Sequence, residues 1–310
     1  MRATTRFRRL IAAPEILVLP GVHDALGARI AELAGFQALT AGGYGATATL
    51  LGRPDSSQLG MSEMAEYYAR LVEATSLPVF ADGDTGFGNV TNVARTVRGY
   101  EKAGVGGLFI EDQVFPKRCG HMAGKAVVPA AEFIAKVKAA LDARADADLV
   151  IMARTDARAV NGLDDAIARA QAAREAGADL IFVEAPASAA EMRRICAAIA
   201  APCLANNIEG GMTPVLSAAK LQEIGYAAVA FAVAATYTVA KSLAELFAAL
   251  KRDGSTDAMT ERMIDFAAFN ELVGLGAQRR REAELQDFAD RLLAGREPAS
   301  FPLAKQEARN

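Results

Sequence analysis

Histidine is nearly absent from this 310-residue chain, which contains only His23 and His121. A three-histidine zinc site is thereby excluded, and histidine-centred chemistry must pass through one of two residues. Cysteine is scarce as well. Cys119, Cys196 and Cys203 are too few, and odd in number, for a disulfide framework, which favours a reducing compartment and sets the expectation of a cytoplasmic protein. Excess basic charge is missing: 34 Lys and Arg stand against 37 Asp and Glu, a net charge of −3, so there is no electrostatic footprint for nucleic acid. No apolar run reaches the ~18 residues of a membrane span, so no membrane partner is expected. Arg2, Arg6, Arg8 and Arg9 precede the first acid, Glu15, but no long apolar segment follows them. An ordinary helix leading to Pro14 is expected there, not a targeting peptide.

What is present is a large apolar fraction, 52% hydrophobic against 23% charged, enough for a sizeable core. Short apolar runs recur at Ile16 to Val22, Phe36 to Ala41, Pro78 to Asp82, Gly107 to Asp112, Leu149 to Thr155, Leu180 to Ala185, Cys203 to Asn206 and Ala227 to Val233. Each is followed by a segment of helical period, with Ser62, Ser188 and Ser217 as N-cap candidates and Gly35, Gly104, Gly177 and Gly225 as C-terminal stops. Continuous, non-alternating strands between helices imply a parallel sheet covered on both faces. Eight such units predict an α/β fold, a (β/α)8 TIM barrel, in one domain over 1–310. Helices predicted at Val239 to Lys251, Glu261 to Leu272 and Arg279 to Leu293 follow the last strand. A helical extension over about 255–295 has no sheet face left to cover, so it should pack outside the barrel or on a neighbouring subunit.

A barrel carries its site at the carboxyl ends of its strands, and this sequence places polar residues at five of them. Asp82 and Asp84 end the third strand, Glu111 and Asp112 the fourth, Arg154 and Asp156 the fifth, Glu184 the sixth and Asn206 the seventh. Asp82, Asp84 and Glu111 are placed to converge near the axis. Three close carboxylates need a cation, and oxygen ligands select a hard one, Mg2+ or Mn2+. Helix caps and ion pairs, such as Arg154 with Asp156 or Glu184, are the plainer alternative, but clustering at strand ends favours the metal.

The stretch Val114 to Val128 is long for a βα loop and reads as an active-site lid. Within it Cys119 follows Lys117 and Arg118 and precedes His121, and nearby positive charge would lower its thiol pKa toward neutrality, where it exchanges protons. Cys196 and Cys203 read as small core residues. Gly43 to Ala48 fits G-x-G-x-x-A, yet the Gly-, Pro- and Ser-rich stretch Leu50 to Gly60 breaks the helix a dinucleotide site needs. No predicted strand contains or ends in lysine, which argues against Schiff-base chemistry.

Several runs together resemble the isocitrate lyase and phosphoenolpyruvate mutase superfamily, in its lyase branch. They are Gly52-Arg53-Pro54-Asp55, Asp82 to Gly88, Ile110-Glu111-Asp112-Gln113, Lys117-Arg118-Cys119-Gly120-His121, Ala153 to Ala157 and Asn206 to Pro214. The resemblance implies a barrel whose final helices swap between subunits of a homotetramer. It implies a small carboxylate substrate and Mg2+, with Mn2+ as substitute, on Asp82 directly and on Asp84, Asp55 and Glu111 directly or through water. Cys119 is the implied general acid, with Lys117, His121 and Arg154 in the catalytic set. Gly42, Gly43, Tyr44, Arg154, Glu184, Asn206 and Tyr237 are the implied substrate contacts.

The activity so implied is metal-dependent carbon–carbon cleavage of a 2-hydroxy di- or tricarboxylate to a 2-oxo acid and a carboxylate. Tricarboxylate lyases of the family carry Tyr, Ser and Arg where this chain has Thr40, Gly42 and Tyr237. Loss of that arginine favours a dicarboxylate resembling 2,3-dimethylmalate over 2-methylisocitrate. A phosphonate C–P enzyme on the same scaffold, of the carboxyphosphonoenolpyruvate type, is the alternative; an acidic cysteine on the lid argues against it. A structural oligomer on a decayed barrel would have lost its acids, and none is missing.

Overall fold

Each apolar run folds as a short strand and each amphipathic segment as a helix, in a computed structural model that describes residues 1–122 and 124–294. The order is α1 (Ala3–Ile11), β1 (Leu17–Pro20), α2 (Ala25–Leu33), β2 (Leu39–Ala41), α3 (Gly43–Leu51), α4 (Met61–Ala74), β3 (Val79–Asp82), α5 (Val90–Ala103), β4 (Gly107–Glu111), α6 (Ala130–Ala143) and β5 (Val150–Thr155). There follow α7 (Ala157–Val160), α8 (Leu163–Glu175), β6 (Leu180–Val183), α9 (Ala189–Ala198), β7 (Leu204–Asn207), α10 (Ala218–Ile224), β8 (Ala228–Phe231) and α11 (Ala234–Asp253).

All strand pairs are parallel. Strands β2 to β6 run in sequence order, and β8 lies between β7 and β1. Single bridges close the two seams, Gly21 with Thr40 and Ile181 with Cys203. The result is the expected (β/α)8 barrel. Strands β3, β4, β5 and β6 are buried along their whole length, because side chains alternate between the barrel interior and the helical layer, and both are apolar. The interior is filled by Phe80, Phe109, Met152, Leu180, Phe182 and Leu204 among others. Phe7 on α1 stacks on Phe80 at 5.2 Å, so the arginine-rich segment closes the amino-terminal mouth and leaves the site to the carboxyl end. Arg8 fixes that plug through Asp179 at 2.9 Å.

Some boundaries differ from the sequence pattern. Helix α4 starts one residue before Ser62, which is therefore not its cap; Gly60 takes that position, and the Glu63 carboxylate accepts its N–H at 2.8 Å. Ser188 and Ser217 do cap their helices. Helix α11 begins at Ala234, directly after β8 and ahead of the predicted Val239.

Close contacts divide the chain into two units, 1–258 and 259–310, of which the second is described to residue 294. It holds α12 (Phe266–Leu272) and α13 (Leu275–Leu293). The helix predicted from Glu261 to Leu272 is broken: a 3-10 turn covers Asp257–Arg262, and α12 starts where Asp265 accepts from the N–H of Ala268 at 2.8 Å. Residue 295, the far end of the expected extension, lies outside the described residues. Among them no helix is long and apolar enough to cross a membrane.

Candidate active site

At the end of β3 the chain turns through Asp82-Gly83-Asp84. A Cβ on Gly83 would stand 2.3 Å from the carbonyl of Phe109, so only glycine passes there. Asp84 adopts φ 47°, a left-handed conformation that aspartate tolerates better than most residues. The Asp82 carboxylate holds the turn: Oδ1 accepts from the Asp84 N–H at 2.9 Å, and Oδ2 accepts from the Gly43 N–H at 2.8 Å. The backbone of Gly43 thus holds a carboxylate, that of Asp82. Gly42 and Tyr44 beside it face the cavity.

Asp55, Asp82 and Asp84 converge, and the group at their focus is the ammonium of Lys117. Its Nζ lies 2.8 Å from Asp84 Oδ1, 2.9 Å from Asp55 Oδ2 and 3.8 Å from Asp82 Oδ2, with Lys117 only 3% exposed. Burial pushes the Asp84 carboxyl up to about 7; the negative charges of Asp82 and Asp55 push the same way, and Lys117 opposes them. At Asp82 burial also works upward, but Lys117, the Gly43 N–H and Arg154 outweigh it and hold the carboxyl below its ordinary value. Glu111 stands apart from this trio. Its Oε2 is 3.3 Å from Arg154 Nε, both carboxylate oxygens are buried without a hydrogen bond, and burial drives its pKa well up.

Among the described residues no three His, Cys, Asp or Glu side chains are arranged as a ready ligand shell. The donors nonetheless fit a hard divalent cation. All are carboxylate oxygens, three of them already converge on a positive charge, and neither oxygen of Glu111 has a hydrogen bond beside the ion pair of Oε2 with Arg154.

Arg154 is the second buried cation. It pairs with Asp156 at 3.0 Å, Glu184 at 3.1 Å and Glu111 at 3.3 Å, and its guanidinium lies over the rings of Phe182 and Phe109. The ion pairs weighed as an alternative to the metal therefore exist, and they lie beside the aspartate cluster. Asn206 donates to Glu184 at 3.4 Å and keeps a buried, unpartnered Oδ1.

The lid lies over this rim. Its base is tied by the Val114 N–H to Ala126 and the Val128 N–H to Asp112, both at 2.8 Å. Gln113 holds Arg118 through bonds to its carbonyl and its N–H. Lys125 donates to the Gly120 carbonyl and, at 2.8 Å, to Asp156, linking the lid to the partner of Arg154. Gly120 is necessary at the crossing: a Cβ there would lie 2.5 Å from Arg154 Nη2 and from Glu184 Oε2. His121 accepts the Met212 N–H on Nδ1 at 3.0 Å, which leaves Nε2 as the protonated nitrogen, 3.3 Å from Glu184 Oε1.

Cys119 faces the cavity, but its thiol is not acidified as its neighbours in sequence imply. Burial raises its pKa, Glu184 and Asp55 add to the rise, and Arg154 and the His121 N–H only partly offset it. Lys117, two residues away, spends its charge on the aspartates. Tyr237 does not line the cavity; it packs edge-on against Tyr44, which does, with the hydroxyls 3.4 Å apart. Cys203 is buried in the outer core and Cys196 packs at its edge.

Lys125 stood in the lid sequence with nothing to mark its partners. Tyr68 and Tyr100, whose hydroxyls bond the backbone of Asp82, occupy apolar positions of α4 and α5 and read as packing residues.

Buried acids, two compensated cations and a lid at the carboxyl mouth define the site of a (β/α)8-barrel enzyme. Residues 7–251 match the phosphoenolpyruvate phosphomutase family, and the chain belongs to the phosphoenolpyruvate mutase and isocitrate lyase superfamily. It is 45% identical to the 2,3-dimethylmalate lyase of Eubacterium barkeri over 92% of this chain and 98% of that one. It is 39% identical to the 2-methylisocitrate lyase of Aeropyrum pernix over 93% and 92%. Among solved structures, 2,3-dimethylmalate lyase superposes with a TM-score of 0.87 at 36% identity, covering 92% of this chain and 96% of that one. Oxaloacetate acetylhydrolase superposes with a TM-score of 0.88 at 32% identity, covering 92% and 97%.

Proposed function

We propose that the protein is a divalent-metal-dependent carbon–carbon lyase that cleaves a 2-hydroxy dicarboxylate of the 2,3-dimethylmalate type into a 2-oxo acid and a carboxylate. The observation that carries this reading is the seating of Cys119, on a lid, over a cavity that also holds Asp82, Asp55, Lys117 and Arg154. Mg2+ or Mn2+, held by Asp82 with Asp55, Asp84 and Glu111, would supply Lewis acidity toward the substrate's hydroxyl and carboxylate.

The chain's own groups then do the following. Arg154, fixed by three acids and two rings, offers its remaining positive field to a substrate carboxylate. As the hydroxyl proton passes to an ionised carboxylate of the cavity such as Glu184, the carbon that bore the hydroxyl becomes the oxo carbon and the C2–C3 bond breaks. The electron pair passes to the departing carboxylate fragment, which takes its proton from the Cys119 thiol. A thiol kept neutral by burial suits a proton donor. The lid, tied through Lys125 to Asp156, excludes water from the fragment.

The dicarboxylate preference rests on charge. Lys117 and Arg154 are the permanently charged cations lining the cavity, and each is already paired with acids. Tyr44, with Tyr237 packed behind it, offers a hydroxyl where a third carboxylate would need a cation. A homotetramer with exchange of the carboxyl-terminal helices belongs to the same reading, supported by exposed apolar residues such as Phe266 and Phe288 on the second unit. So does a cytoplasmic setting, supported by three free cysteines.

The test is release of 2-oxo acid from 2,3-dimethylmalate, citramalate and oxaloacetate with Mg2+, with Asp82→Ala and excess chelator as controls. Turnover on a dicarboxylate that disappears in both controls is expected. Undiminished turnover in chelator contradicts the metal assignment.

A further inference from the structure

Asp82 is held by more than its own carboxylate. Two tyrosines from the helices outside β3, Tyr68 of α4 and Tyr100 of α5, reach its backbone, and both are fully buried. The β2–β3 register pairs Ala41 with Ala81, which places the Asp82 N–H and the Ala41 carbonyl at the last rung of the ladder. A side-chain hydroxyl joins that rung. Tyr68 Oη accepts from the Asp82 N–H at 2.8 Å and lies 2.9 Å from the Ala41 carbonyl, to which it donates. Tyr100 Oη donates to the Asp82 carbonyl at 3.1 Å, and Tyr68 Oη lies at the same distance from it. The rings of Tyr68 and Tyr100 meet edge to face at 4.9 Å, so each fixes the other's approach.

Packing alone does not require these hydroxyls. Phenylalanine would fill the same ring space without the desolvation that each buried hydroxyl must recover through a hydrogen bond. Both phenols are held protonated, first by burial and then by the acids and the phenol nearby, so each has its hydrogen available to donate. With the peptide groups of Asp82 held from outside and its carboxylate oxygens held by the N–H groups of Gly43 and Asp84, all of this residue's freedom at the rim is removed.

We infer that Tyr68, assisted by Tyr100, is a positioning residue: through the backbone of Asp82 it sets where that carboxylate meets the divalent cation. The inference rests on the metal role proposed for Asp82. Removing a hydroxyl that orients a ligand weakens metal affinity and turnover by about 10- to 100-fold, whereas a packing role would lower thermal stability alone.

The experiment measures Mn2+ binding by electron paramagnetic resonance, together with kcat and Tm, on the full chain and on Tyr68→Phe. The expected result is a folded variant whose Mn2+ Kd and kcat are both worse by about tenfold or more. Should Tyr68→Phe not fold, Tyr100→Phe, which leaves the ladder rung intact, is expected to show the same losses in smaller measure. Mn2+ binding by Tyr68→Phe, or by Tyr100→Phe where it takes its place, as tight as by the unaltered chain overturns the inference and leaves the proposed function standing. Failure of the unaltered chain to bind Mn2+ overturns both.

Discussion

Cys119 shows how burial and neighbouring charge compete at one atom. Two cations adjoin it in sequence, yet the Lys117 ammonium faces three aspartates. The thiol is left with burial as its largest influence, and its pKa moves above the usual 9.0. The sign matters for catalysis: a proton donor is active in its neutral form, so a raised pKa extends activity toward alkaline pH and activity is lost as the pH passes above that pKa. The kcat of the enzyme is therefore expected to hold up to about pH 9, and Cys119→Ser is expected to lower kcat by about 10²- to 10⁴-fold with little change in KM. A pH–rate profile of both proteins checks this. An alkaline limb below the ordinary thiol value of 9.0, or a serine variant at full speed, removes Cys119 from the role of acid. The acids at strand ends were legible one by one, because charge in a fully buried strand is unexpected. The pairing of Arg154 with Asp156 and Glu184 was legible as well, but the partner of Asp82 and Asp84 was not, since the focus of Asp55, Asp82 and Asp84 is a lysine from a loop 62 residues beyond Asp55.

At the scale of elements, periodicity located strands and helices well, since a run buried on both faces and an amphipathic helix leave different marks. Helix ends were less legible. Ser62 looked like a cap because it precedes Glu63 and an apolar run, but a glycine two residues earlier already has its N–H satisfied by the same glutamate. The lid was recognisable from its length. That it crosses directly over an ion pair was not, and Gly120 is the residue that permits the crossing. Gly120→Ala places a methyl group against Arg154 and Glu184, so the lid should seat about an ångström higher and kcat fall by about 10²-fold. Because the barrel core is untouched, Tm should change little. Steady-state kinetics beside thermal melts check the pair of outcomes, and an alanine variant with unchanged kcat would show that the lid has room to spare.

For the whole molecule, counting eight alternating units pointed to a closed parallel barrel, because an open doubly wound sheet, which also buries both faces, usually has fewer strands. The second unit, 259–310, begins close to where the helical extension over about 255–295 was expected from the surplus of helices after the eighth strand. The molecule-scale consequence of the barrel is a single mouth in which the cations are few and committed. On the proposed function a substrate with two carboxylates suits that mouth, whereas a third would be desolvated without a positive partner. Leaving a carboxylate so unpaired costs several kcal/mol, and each 1.4 kcal/mol is about tenfold in specificity. The most direct measurement of the central claim is the ratio of kcat/KM for 2,3-dimethylmalate to that for 2-methylisocitrate, both with Mg2+. The account predicts a ratio of at least about one hundred. A chain that cleaves 2-methylisocitrate faster than 2,3-dimethylmalate contradicts it.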